Sequence, residues 1–135
     1  MRLLTISNYQ IQKWAVILAL SSVFLLGQDK RLRLKKADVL ERVTMDGKAV
    51  QYLKGNVVFQ KGEMIMNCDW ARFNQKTEQG FLFGNVSMVK NEQNLICDSL
   101  FVDSPKNIMI AYSNTQVWDT TYSLVTDTLF YFSEL

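Results

Sequence analysis

Histidine is missing from this sequence altogether, and proline occurs only once. Without histidine the usual general base, the commonest metal ligand and the Ser/His and Cys/His nucleophile pairs are all gone. Ordinary enzymatic chemistry is left without its habitual residues, and a non-catalytic protein is expected, with no cofactor and no metal. One proline and six glycines also leave no room for a Pro- or Gly-rich linker. A surplus of one charge is absent as well: 15 basic residues face 13 acidic ones, for a net charge of +2. From Ala37 onward acids outnumber bases, whereas a nucleic-acid binder spreads basic charge through the domain with aromatics between. What the chain does have is apolar mass. Hydrophobic residues make up 48% of its 135 positions, enough for one domain with a core.

The N-terminus reads as an address. Arg2 and Lys13 precede a run of 14 weakly polar to apolar residues, Trp14 to Gly27. As a helix that run is roughly 21 Å long, short of the about 20 residues a spanning helix needs. A basic start, an apolar stretch and a small residue at its end predict a secretory signal over residues 1–27, with cleavage after Gly27 and export to the periplasm. An uncleaved inner-membrane anchor facing the periplasm is the alternative. Lys30, Arg31, Arg33, Lys35 and Lys36 crowd the far side of the run, which the positive-inside rule disfavours for either reading.

The rest of the chain, residues 28–135, repeats. Gly55-Asn56-Val57 recurs as Gly84-Asn85-Val86, 29 residues later, and the same step leads on to Ser113-Asn114. Cys68-Asp69 recurs as Cys97-Asp98, also 29 later, and then as Thr126-Asp127. Ala37-Asp38-Val39-Leu40 resembles Cys97-Asp98-Ser99-Leu100 and marks a shifted earlier unit. Each unit reads as two strands joined by a polar turn. Alternation places Met64, Met66, Cys68 and Trp70 on one face of a strand, with Ile65, Asn67, Asp69, Ala71 and Phe73 on the other. Leu95, Cys97 and Phe101 repeat the first face, and Leu124 begins its third copy. In the strand opening the first unit, Val57 and Phe59 are the more apolar pair. Leu32 and Leu34 alternate with Arg31, Arg33 and Lys35, as in a half-buried strand. No helical period survives after Gly27. The fold class predicted is all-β, a stack of two-strand repeats arranged as a sandwich, an open jelly roll or a solenoid-like pile, with unclosed end strands open to further pairing.

Leu53-x-Gly55-Asn56-Val57, the strand Met64 to Asp69, and the second pass Gly84-Asn85-Val86 with Ile96-Cys97-Asp98 resemble the OstA-like family. That family comprises the periplasmic lipopolysaccharide-transport protein LptA and the N-terminal domain of the outer-membrane assembly protein LptD. The resemblance runs over about residues 31–131. It implies an open β-jelly roll whose apolar groove holds the acyl chains of lipopolysaccharide, and head-to-tail joining of such jelly rolls into a bridge across the periplasm to the outer membrane. By that analogy the groove face is Val57, Phe59, Met64, Met66, Cys68, Trp70, Leu95, Cys97, Phe101 and Leu124. Flexible methionines suit an exchangeable acyl surface. Family domains have more strands than the seven or so counted here, and the sequence stops straight after a strand. A minimal domain or the first piece of a longer chain both fit that ending.

Other features are weaker signals. Asp69, Asp98 and Asp127 recur one per unit, too thinly for a calcium site, which needs six to eight oxygens. They read as outward or turn-proximal residues. A β-solenoid polysaccharide hydrolase or lyase would need carboxylates facing each other across roughly 5–10 Å, an arrangement that one outward acid per layer does not provide. Cys68 and Cys97 test the topology. One strand spacing apart, as in a solenoid, they are within disulfide reach, and two spacings apart, as in a meander, they are beyond it. The basic stretch at 30–36 suits either lipid phosphates or a solvated edge strand. Beside the bridge component, two other functions fit the sequence: an inner-membrane-anchored LptC-like partner, and an exported structural β module with a closed core.

Overall fold

The computed structural model describes residues 31–132. The expected signal or anchor at 1–27 lies outside the described residues. Eight strands form one antiparallel sheet: β1 (Arg33–Lys36), β2 (Val39–Met45), β3 (Lys48–Lys61), β4 (Met64–Asn74), β5 (Gln79–Lys90), β6 (Gln93–Asp103), β7 (Ile108–Trp118) and β8 (Ser123–Phe132). The sheet is a meander in the order β1-β3-β4-β5-β6-β7-β8, and β2 also pairs with β3. β1 meets the C-terminal half of β3 and β2 its N-terminal half. The two short strands therefore act as one bent strand, interrupted around Ala37-Asp38.

Every long strand is bent at its middle, and the repeat explains why. Register slips between Lys54 and Val57, between Phe83 and Val86, and between Tyr112 and Thr115. At each slip two successive residues have positive φ: Gly55 (79°) and Asn56 (46°), Gly84 (74°) and Asn85 (46°), Ser113 (63°) and Asn114 (49°). A left-handed pair facing a single residue of the next strand is a β-bulge, one extra residue that bends its strand and sharpens the local twist. Three bulges in line crease the whole sheet into two facing leaves. An aspartate fastens each crease, from the β1–β2 interruption for the first and from the preceding strand for the other two. Asn56 Nδ2 donates to Asp38 Oδ2 (2.9 Å), Asn85 to Asp69 (2.8 Å) and Asn114 to Asp98 (2.7 Å). Asp69 and Asp98 are thus outer rungs of a crease, and Asp38 takes the same place in the shifted first unit.

The crease reverses side-chain phase in β4 and β6, while the extra residue of the bulge preserves it in β3 and β5. In β4, Met64, Met66 and Cys68 are buried, Asp69 and Trp70 are both exposed, and burial resumes at Ala71 and Phe73. Simple alternation does not survive such a corner. Ala71 and Phe73, assigned by alternation to the face opposite Met64, point into the same interior, as do Leu100 and Val102 in β6, while Ile65 and Ile96 point out.

Candidate functional site

The interior between the leaves is built from cross-strand rows. In the first leaf the row runs Leu34, Phe59, Met66, Met88, Leu95, Val117, Leu124. In the second leaf it runs Leu40, Leu53, Ala71, Leu82, Leu100, Ala111, Leu129. The central members are sealed, with Phe59, Met66, Ala71 and Leu82 all at 0% exposure. Phe59 reaches across to Phe73 of the opposite leaf in an edge-to-face contact, centroids 5.3 Å apart. At the far rim Lys61, itself buried, donates from Nζ to Ser104 Oγ (3.1 Å) and Asn107 Oδ1 (3.1 Å), while the Leu32 amide donates to the same Ser104 Oγ (3.2 Å). These bonds join the β3–β4 turn of one leaf to the β6–β7 turn of the other.

Seven of the ten candidate groove residues line this interior: Val57, Phe59, Met64, Met66, Cys68, Leu95 and Cys97. Three do not sit inside it. Trp70, 46% exposed, stacks outside on Phe83 (4.1 Å), and Phe101 lies against Phe81 (4.8 Å), with Arg72 over the Phe81 ring at 5.2 Å. Both fall beyond the crease, where the phase has flipped. Leu124 keeps the inner row but sits in the last strand, which leaves it 46% exposed. Met88, Met109, Leu53 and Leu82 were not among the candidates. Leu53 shares the parity of Val57 and Phe59, and Leu82 and Met88 that of Val86, so alternation carried through the Gly-Asn bulge is the signal that finds these three.

Among the described residues the interior is open at both ends of the sheet. At the N-terminal end, β1 and β2 diverge around a cleft of about 470 Å³ whose walls include Arg31, Arg33, one acid, Glu78, and the apolar Leu32, Leu40 and Phe73. A second cleft of about 670 Å³ beside it is lined by Arg42, Lys48 and Lys76 among others. The N-terminal mouth thus combines cationic walls with an apolar floor.

Two polar features lie inside. Thr115 occupies the place of Val57 and Val86 one repeat on, is 0% exposed, and its Oγ1 has no hydrogen-bond partner. Thr115→Val removes a stranded hydroxyl at nearly constant volume, so it is expected to raise stability by about 1 kcal/mol in a urea titration. Cys68 and Cys97 are free, buried thiols. Cys68 faces Val57 and Cys97 faces Val86, with β5 between their strands. Two strand spacings are about 9.6 Å, too far for a disulfide, so the meander answers the topology test. Burial pushes both thiols up from 9.0 to about 12, with the Asp69 and Asp98 carboxylates adding to it respectively. At pH 8 neither is expected to react with an aromatic disulfide reagent until the protein unfolds. In the window between 9 and 12 the unfolded thiols ionise first. Their contribution to stability is therefore complete below pH 9 and is lost as pH rises towards 12. A Cys68→Ala/Cys97→Ala protein should lose that part of the alkaline decline, as followed by thermal melts across this range.

The profile of the family described as OstA-like protein matches residues 29–133. The chain belongs to the OstA-like family. No curated protein matches it at a significant level. Among the 18 solved chains that match its fold is LptH of Pseudomonas aeruginosa, titled the LptA-homologous periplasmic component of the lipopolysaccharide transport device. The two share 14% identity over 78% of this chain and 79% of that one, with a TM-score of 0.66. At that identity the likeness is one of fold, and it makes this OstA-like chain an open β-jelly roll of the LptA type.

Proposed function

We propose that this OstA-like protein is a non-catalytic carrier of lipopolysaccharide in the periplasm, one component of a bridge that delivers the lipid to the outer membrane. The observation that carries this reading is the continuous apolar interior running the length of the creased sheet from a cationic mouth. Acyl chains match the Phe59–Met66–Met88–Leu95 row, and the phosphates of the headgroup match Arg31, Arg33, Arg42 and Lys48 at the N-terminal end. The interior is filled by its own side chains, so entry of an acyl chain requires the leaves to part or the methionines to change rotamer. Unbranched Met side chains do so at low cost, and each buried CH₂ contributes about 0.8 kcal/mol. Association with other jelly rolls of this type through the end strands completes the reading.

The test is photo-crosslinking in cells, with a reactive residue placed in turn at Met66 or Leu95, which are sealed inside, and at Asn67 or Trp70, which are exposed. Lipopolysaccharide is expected at Met66 and not at Asn67 or Trp70. Capture at neither Met66 nor Leu95, in a protein shown to be folded and exported, would leave a closed structural module and refute the carrier.

A further inference from the structure

The two outer faces of the creased sheet differ in a way the fold does not require. Outside the first leaf, Ile65 and Val89 share their cross-strand row with Asn94, and Ile96 shares its row with Asn67 and Ser87. Outside the second leaf the rows are aromatic. Trp70 stands beside Phe83, and Tyr52, Arg72, Phe81 and Phe101 follow one another from β3 to β6. Cross-strand pairing accounts for most of these rings. Phe81 lies against Phe101 (4.8 Å) and has Arg72 over its ring (5.2 Å), so these groups are committed to one another. Trp70 is different. Phe83 covers one face of its indole, with the rings 4.1 Å apart and 14° from parallel. The other face turns towards β3, and the residue stays 46% exposed.

That free face is one wall of a cavity of about 380 Å³ on the outside of β2, β3 and β4. Tyr52 is a second aromatic wall, Glu41 and Lys54 supply one charge of each sign, and the sealed Leu53 lies beneath. The volume falls within the roughly 300–1,000 Å³ of small-molecule sites. Among the described residues neither Glu41 nor Lys54 has a hydrogen bond or ion pair. The Tyr52 hydroxyl reaches only the Met45 sulfur, at 3.9 Å.

We propose that this slot binds a neutral glycan, a chain of uncharged pyranose rings, at a site separate from the acyl interior. An indole face is electron-rich and takes the weakly positive C–H bonds on one side of a sugar ring. Hydroxyls around the ring edge donate to the Glu41 carboxylate and accept from the Lys54 ammonium and the Tyr52 hydroxyl. One carboxylate and one ammonium sum to no charge, which suits an uncharged ligand. Other occupants match less of the slot. An apolar side chain of a protein partner, or a lipid surface, would cover the indole but strip water from both charges and return nothing to them. A phosphorylated ligand would bring its anion against Glu41, and it finds more cationic walls at Arg31, Arg33 and Arg42 in the N-terminal mouth.

The experiment is a calorimetric titration of the protein, as cells process it, with the tetramers of N-acetylglucosamine and of glucose. Saturable binding of at least one tetramer is expected, and the better of the two tells whether the site reads an acetamido group. Trp70→Ala should weaken it about tenfold, and Glu41→Gln and Lys54→Met by a similar factor. The last two alter exposed side chains without a described partner, so they test the slot even if Trp70→Ala loosens the sheet. Trp118→Ala, outside the first leaf, should bind as the native protein does. No binding of either tetramer, or binding unchanged in the slot variants, would overturn the proposal. So would a concentration-dependent dimer that Trp70→Ala abolishes, since a second copy would then be the occupant. A preference for the phosphorylated sugars of lipopolysaccharide, freed of acyl chains, would also overturn it by making the slot part of the cargo site. The titration with the tetramers contains no acyl chain, so its outcome is independent of the crosslink at Met66.

Discussion

Phe59→Ala is expected to cost about 3–5 kcal/mol, read as a fall in the urea midpoint at unchanged slope. A domain of this size has about 5–15 kcal/mol in all, so the variant sits near the edge of folding. The size of the effect follows from position. Phe59 is fully sealed, belongs to the first leaf, and its ring edge meets Phe73 of the second leaf. Its loss removes apolar burial and also one of the contacts that hold the leaves together, and the neighbouring strands cannot collapse into the gap while the crease holds them apart. The cavity left behind is apolar and beside the N-terminal mouth, a kind of space that stays dry and accepts hydrocarbon. A saturating long-chain amphiphile is therefore expected to raise the melting temperature of Phe59→Ala more than that of the native protein. A loss below about 1.5 kcal/mol would mean that the leaves are not packed together at this point.

The second large effect lies at the crease. Gly55→Ala is expected to cost about 2–3 kcal/mol, from two causes. The residue has φ of 79°, a conformation unfavourable for any side chain. A Cβ there would also stand 2.6 Å from Asp38 Oδ2 and 3.0 Å from Asp38 Cβ, so the aspartate must turn away from Asn56 and its rung is lost. The third unit supplies the internal control. Ser113 already carries a side chain at φ of 63°, so Ser113→Gly should relieve strain and stabilise by about 0.5–1 kcal/mol. If thermal or urea unfolding shows Gly55→Ala and Ser113→Gly both neutral, the crease is not the element that shapes the sheet.

These two positions also mark how far the residues could be read without coordinates. The 29-residue recurrence, the polar turns and the alternation of Met64, Met66 and Cys68 were enough for an all-β stack of two-strand units, because strand periodicity and turn chemistry are local properties. They were enough too for the family, and for the seven interior residues that precede a crease in an even strand or follow one in β3. Alternation failed at Trp70 and Phe101. A strand that turns the corner without an extra residue brings its later side chains to the opposite face, as β4 and β6 do, and whether Gly-Asn begins a strand or bends one depends on what lies across from it.

What the sequence determined by itself, then, is the unit: its length, its two strands, its apolar content and the Gly-Asn and Asp positions that recur in phase. Only the tertiary structure decided how the units are joined. It paired Asn85 and Asn114 with the aspartates of the preceding strands, set the cysteines two strands apart, and turned Ala71, Phe73, Leu100 and Val102 inward. The physical reason is that hydrogen bonds and burial between strands link residues 16 or more positions apart, and a pattern of period two carries no record of which strand lies beside which.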